Sequence, residues 1–190
     1  MESEIIVSRG RIFTLLPRTY WHLAHPTAGF LLNNVAANEG ICWSISEIRK
    51  TPGLEKAASP YSSKFFMGDK KEIVWGQVRI NVNPRLPSRN GAIFLFEDEE
   101  MALTIMAKWF PTELRHLLEV RVVRDSSILR CDSKWLDCNE DQWKKNAFHY
   151  WSGNMTSDPI PEILIEGAVY FPGWQRKPFG IGEGMPTSSS

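Results

Sequence analysis

Apolar residues recur along this chain at two spacings, one of period two and one near 3.6, and together they divide it into short strands and helices. Residues 4–16 hold two apolar pieces on either side of Ser8-Arg9-Gly10-Arg11, the pattern of two short strands around a turn. Thr19-Tyr20-Trp21-His22-Leu23-Ala24 reads as a strand, with Tyr20, His22 and Ala24 on one face and Trp21 and Leu23 on the other. Pro26 ends it. Thr27 then caps a helix reaching about Asn38, with Leu31, Leu32 and Val35 on its apolar side and Gly40 as its stop.

Ile41–Ile48 alternates only in part and suits either element. Residues 49–68 carry Pro52, Gly53, Pro60 and Gly68 and read as loop, with a short helix around Leu54–Ala58. Over Asp69–Ile80 a capping box (Asp69, Glu72) and the Val74/Val78 pair outweigh the strand-like composition and predict a helix. Pro84, Pro87 and Gly91 keep the next approach irregular. Ala92–Phe96 is a buried strand, and the acids Glu97 to Glu100 open a helix striped by Ala102, Ile105, Met106, Trp109 and Phe110. Pro111 ends that helix. Leu117–Val123 and Ile128–Cys131 read as strands, and Asn139 caps a helix with Trp143, Ala147, Tyr150 and Trp151 inward. Glu162–Phe171 is the last strand, with Glu162, Leu164 and Glu166 on one face. Strands interleaved with helices, without a regular βαβ rhythm, give an α+β class. Residues 1–174 form one domain, and the Gly/Pro/Ser/Lys-rich stretch 175–190 reads as a disordered tail.

Composition narrows the function classes. Hydrophobic residues make up 43 %, enough for a core, and eight Trp suit both core packing and a ligand cleft. A net charge of zero argues against a general electrostatic footprint for duplex nucleic acid or an anionic membrane, while a local basic groove stays open. Three Cys without a C-x-x-C point to a reduced, cytoplasmic protein. No stretch has transmembrane length, and Met1-Glu2-Ser3-Glu4 is acidic where a signal peptide is basic. His22-x-x-His25 on a strand points its two rings to opposite faces, which argues against a metal pair. There is no G-x-S-x-G, no P-loop and no G-x-G-x-x-G after a strand. What remains is a dispersed set of polar candidates: His22 on a strand, Ser88 and Arg89 before another, and Glu162 or Glu166 on the last.

Taken together, three segments resemble the ADP-ribosyltransferase fold. Thr19–Ala24 resembles the family's first core strand, with its aromatic-His pair. Asn90-Gly91-Ala92-Ile93-Phe94-Leu95-Phe96, followed by the Met101-Ala102 helix, resembles the strand-then-helix block of the diphtheria-toxin and poly-ADP-ribose polymerase branch. Pro161-Glu162-Ile163-Leu164 resembles the strand that bears the catalytic glutamate. Pro87-Ser88-Arg89, the aromatic strand and Tyr150-Trp151-x-Gly153 also resemble an uncharacterised bacterial and phage family. The resemblance implies a split β-sheet core with peripheral helices and an NAD-dependent mono-ADP-ribosyltransferase. It further implies a protein or nucleic-acid acceptor and a toxin or effector role in bacterial or phage conflict. By the same resemblance His22 bonds the adenosine ribose, while Ser88, Arg89, Asn90 and Gly91 line the dinucleotide cleft, Arg89 against the pyrophosphate. Phe94 or Tyr150 packs on nicotinamide, and Glu162 is catalytic, with Glu166 as its competitor.

The chain departs from the polymerase branch in offering Trp109, and no Tyr, in the helix after the aromatic strand. The alternatives are an NAD glycohydrolase and a non-catalytic binding or inhibitory protein on the same scaffold. The enzyme reading expects His22 and a glutamate from 162 or 166 to meet at one pocket; the binding reading does not require it.

Overall fold

The computed structural model describes residues 3–58 and 68–179. Ser8 hands the chain from strand β1 (Glu4–Ser8) to β2 (Arg11–Ala24) through a two-residue turn, with both Arg9 (φ 49°) and Gly10 (φ 73°) in the left-handed region. This is the turn whose twist matches a hairpin. The described elements that follow are α1 (Gly29–Ala37), β3 (Ile41–Trp43), α2 (Ile45–Ile48), α3 (Lys70–Val82), β4 (Ile93–Leu95) and α4 (Glu99–Trp109). After them come β5 (His116–Val123), β6 (Ser127–Asp132), two short 3-10 turns, α5 (Trp143–Trp151), β7 (Pro161–Glu166) and β8 (Ala168–Tyr170).

The strands form two antiparallel sheets, ordered β1-β2-β5-β8-β3 and β4-β7-β6. This is an α+β architecture. The sheets are joined at several points, among them the short β5–β6 link through residues 124–126. Trp21 and Phe96 exchange backbone hydrogen bonds of 3.0 and 2.8 Å, and the chain passes directly from β7 to β8 through Gly167.

Alternation along β4 and β7 sorts their side chains into two cores. Ile93, Leu95, Ile163 and Ile165 face the larger sheet, where they pack with Tyr20, Leu118, Val120 and Phe171. Phe94 and Leu164 face the other way, against Trp75 of α3 and Ala147, Tyr150 and Trp151 of α5. Truncating a fully buried ring such as Trp75 or Trp151 to Ala costs about 3–5 kcal/mol. A third cluster lies under α4, where Ala102 and Ile105 pack on Phe96 and Ile160 with Trp21 and Leu23 alongside.

Several expectations hold. Tyr20 and Ala24 share the inner core while Trp21 and Leu23 lie under α4. The Asp69 carboxylate accepts from the backbone N–H of Lys71 and Glu72, and the contested stretch is helical. The acids expected to open α4 do so, with Glu99 and Glu100 in its first turn; Asp98, not singled out from sequence, caps it through the Met101 N–H at 2.7 Å.

Others are corrected. The two strands expected at residues 11–16 and 19–24 are one strand, because Pro17 falls at a register shift between Leu15 and Thr19 where no ladder donor is needed. The Arg121 guanidinium bonds the Leu16 carbonyl there. Thr27 does not cap α1: its hydroxyl pairs with His25 Nδ1, and the helix begins at Gly29. Ile41–Ile48, which suited either element, holds both: the strand ends before Ser44, and Ser44 caps α2. Leu54–Ala58 forms turns, and residues 59–67 of the expected loop lie outside the described residues.

Asn139 makes no side-chain cap, and a 3-10 turn precedes α5. The single strand expected over Glu162–Phe171 is broken at Gly167, whose φ of 139° turns the chain from one sheet into the other. The tail expected from residue 175 is anchored at its start, since Phe179 is buried with its ring 5.2 Å from that of Phe171; residues 180–190 lie outside the described residues. No helix among the described residues is long and apolar enough to cross a membrane.

Candidate functional site

β7 places Glu162 on the face of the small sheet that packs against α3 and α5, because 162, 164 and 166 alternate away from the inter-sheet core. Tyr150 reaches the same place from the last turn of α5, and Arg89 from the irregular segment before β4. The three side chains meet. Arg89 Nη1 donates to Glu162 Oε1 at 2.8 Å and to the Tyr150 hydroxyl at 2.6 Å, and that hydroxyl donates to Glu162 Oε1 at 2.5 Å. The Arg89 guanidinium lies 5.3 Å from the centres of both the Phe94 and Tyr150 rings, and its Nε is 3.5 Å from Glu72 of α3. Four separate segments thus converge on one guanidinium.

Both hydrogen bonds to the Glu162 carboxylate fall on Oε1. The carboxylate is therefore oriented by two donors on one oxygen, and Oε2 has no hydrogen bond among the described residues. Burial above all, with the Glu162 charge adding, holds the Tyr150 phenol well above its usual range against the pull of Arg89, so Tyr150 remains a donor. Beneath the cluster, the Cys131 thiol is buried and likewise pushed well above its usual range, first by burial and then by the Glu162 charge.

Beside Arg89 opens a cleft of about 20 Å³, lined among the described residues by Glu72, Trp75, Gly76, Ser88, Arg89, Asn90 and Trp151. It has room for little more than one water, which needs roughly 10–15 Å³. Ser88 N–H donates to Glu166 Oε2 at 3.2 Å, which ties the start of the segment to the far end of β7. Gly91 plays a different part from its neighbours. It packs against α2, where a Cβ would lie 2.2 Å from Ser46 Oγ and 2.8 Å from Ser46 N.

Of the residues nominated from sequence, Arg89, Tyr150 and Glu162 are hydrogen-bonded to one another with Phe94 against the guanidinium, and Ser88 and Asn90 line the adjoining cleft. Glu166 sits at the rim on Ser88. His22 lies elsewhere. Its Nδ1 donates to the Phe94 carbonyl at 2.8 Å, and its ring stands edge-on to Phe171 at 6.3 Å, on the inter-sheet side. Burial above all, with Arg115 adding, lowers its pKa against the effect of the Phe94 carbonyl. His22 and Glu162 therefore face opposite sides of the small sheet and do not meet at one pocket. Sequence reasoning missed Glu72, Trp75 and Trp151 as cleft walls. Glu72 and Trp75 sit on the α3 turn that faces Arg89, and the one available signal was the helical spacing that places both within a single turn after the Asp69 cap.

A second, wider groove of about 410 Å³ runs between α4 and the segment before β7, floored by Met101, Ile105 and Ile160 and edged by Lys108, Lys134 and Asp158. Its rim carries both charge signs, and none of these residues was nominated from sequence.

No curated protein matches the chain. A family model does match, over residues 52–172, well over half of the chain and inclusive of every described residue of the Arg89 cluster and its cleft. On that match the chain belongs to the family described as a protein of unknown function, DUF2441.

Proposed function

We propose that the chain is an NAD-dependent ADP-ribosyltransferase acting on a macromolecule, with its reactive carboxylate at Glu162. The observation that carries this reading is the arrangement of Glu162: one oxygen is held by Arg89 and Tyr150, and the other has no hydrogen bond among the described residues. A carboxylate pre-oriented in a site with little water stabilises positive charge without reorganising, and nicotinamide departure develops positive charge on the ribose. In the reaction, the bond between the nicotinamide nitrogen and the anomeric carbon breaks, and its electron pair leaves with nicotinamide. An acceptor nucleophile then bonds that carbon and gives up its proton. Glu162 Oε2 receives the ribose hydroxyl beside the developing charge.

Arg89 takes a different role from the pyrophosphate contact that the resemblance implies. Its guanidinium is engaged by Glu162, Tyr150 and Glu72, so in this reading it positions the carboxylate. The cleft admits a group of about water size, so a dinucleotide enters by separating α3 from the Ser88–Gly91 segment.

A second reading has its own support. His22 lies in the inter-sheet core, and the enzyme reading had expected it at the pocket. A non-catalytic binding protein on this scaffold needs no such convergence. Nicotinamide release from NAD, measured with and without host lysate, separates the two. Release that depends on lysate and is lost in Glu162→Gln supports the transferase. Release without lysate marks a glycohydrolase, and its absence under both conditions leaves the binding protein.

A further inference from the structure

Two buried polar atoms at the cleft beside Arg89 have no hydrogen-bond partner among the described residues: Nε1 of Trp75 and Oδ1 of Asn90. The first is a donor only and the second an acceptor. Buried groups of this kind are nearly always met in native folds, by protein, water or ligand. Trp75 is a rigid donor. It is fully buried, its ring lies 5.3 Å from the Lys71 ammonium, and its carbonyl accepts the Trp151 indole N–H at 2.8 Å. The cleft is the size of a ligand's tip, not its body. An anionic tip is disfavoured: the Asn90 oxygen and the Glu72 carboxylate line the same space, and the Arg89 guanidinium that also lines it is already paired with Glu162 and Glu72.

We propose that this cleft docks a primary carboxamide, whose carbonyl accepts from Trp75 Nε1 and whose N–H donates to Asn90 Oδ1, and that it rejects the matching carboxylate. The physiological ligand rests on the NAD reading above, since NAD ends in a carboxamide. The donor–acceptor pair itself does not depend on that reading.

Calorimetric titration of the full chain with two matched pairs tests the proposal: NAD against nicotinic acid adenine dinucleotide, and nicotinamide against nicotinate. Each amide is expected to bind at least about tenfold more tightly than its acid, because the acid leaves Asn90 Oδ1 facing another acceptor. Asn90→Ala is expected to shrink that ratio to within about threefold. Trp75→Phe, first checked for an intact melting transition, should do the same. Equal binding of NAD and its acid overturns the carboxamide site and leaves the transferase standing. A nicotinamide preference with no binding of either dinucleotide supports the site and overturns the transferase. No binding by any of the four overturns both, and a preference unchanged in both variants overturns the assignment to Trp75 and Asn90.

Discussion

Replacing Arg89 by Met removes the guanidinium and keeps much of its apolar stem over Phe94 and Tyr150. The side chains of Arg89 and Glu162 are only 8 % and 6 % exposed, so the substitution leaves a carboxylate in a site with little water and with Tyr150 as its donor. Breaking a buried pair from one side costs about 3–5 kcal/mol. The retained Tyr150 bond favours the lower end, about 3 kcal/mol. For a chain of this length each kcal/mol moves the melting temperature by roughly 2–4 °C, so Arg89→Met should melt roughly 6–12 °C below wild type. Glu162→Gln keeps an acceptor but loses the charge, and should cost about 1.5–3 kcal/mol. In the double variant the Glu162 charge is gone and the longer Arg89–Glu72 contact is lost equally in Arg89→Met, so the cost should fall short of the sum by more than about 1 kcal/mol. Urea unfolding followed by tryptophan fluorescence, with calorimetric melting at pH 7, measures all three. An Arg89→Met protein melting within about 2 °C of wild type, or single effects that simply add, would refute the buried-pair reasoning.

Two glycines should respond in opposite directions. Gly76→Ala in α3 meets no atom within 4 Å and should stabilise by up to about 1 kcal/mol, whereas Gly167→Ala, at φ 139° and with a Cβ 2.4 Å from Ser126 Oγ, should lose about 1–3 kcal/mol or more; thermal melting decides both. The pKa of His22 lies below 6.5 in the fold, so the unfolded chain takes up that proton first and stability falls as pH drops below 6.5. His22→Gln keeps a donor for the Phe94 carbonyl and should flatten the melting temperature profile between about pH 7 and 5; an unchanged profile would sink this assignment. Cys42 is buried with its thiol pushed to about 12, and Cys131 is buried and raised as well, so native protein should titrate one thiol with Ellman's reagent, Cys138, and three once denatured.

Local chemistry in the sequence carried much of this fold. The Asp69 cap, the acidic start of α4, the turn at Arg9-Gly10 and the period-two face of Glu162, Leu164 and Glu166 are each set by residues within a few positions, and each is found as read. What depended on distant partners was not legible. Residues 11–16 and 19–24 read as separate strands, yet β2 runs through Pro17 because β5 holds both sides and Arg121 bonds the carbonyl at the gap. Glu162–Phe171 read as one strand, because a lone glycine at 167 does not say that the chain changes sheets there. At the site, the strand faces of Glu162 and His22 follow from alternation alone. That the two look out on opposite sides of the small sheet follows from how β2 and β4 are joined, a contact across more than seventy residues. Glu72 and Trp75 became cleft walls only when α3 docked on the Arg89 segment.

The most direct test of the central claim is calorimetric titration of NAD into the purified chain, repeated with Glu162→Gln. The account predicts saturable binding of one NAD per chain below millimolar concentration, with nicotinamide release confined to the protein that retains Glu162. No heat of binding at millimolar NAD, or undiminished release by Glu162→Gln, would contradict it.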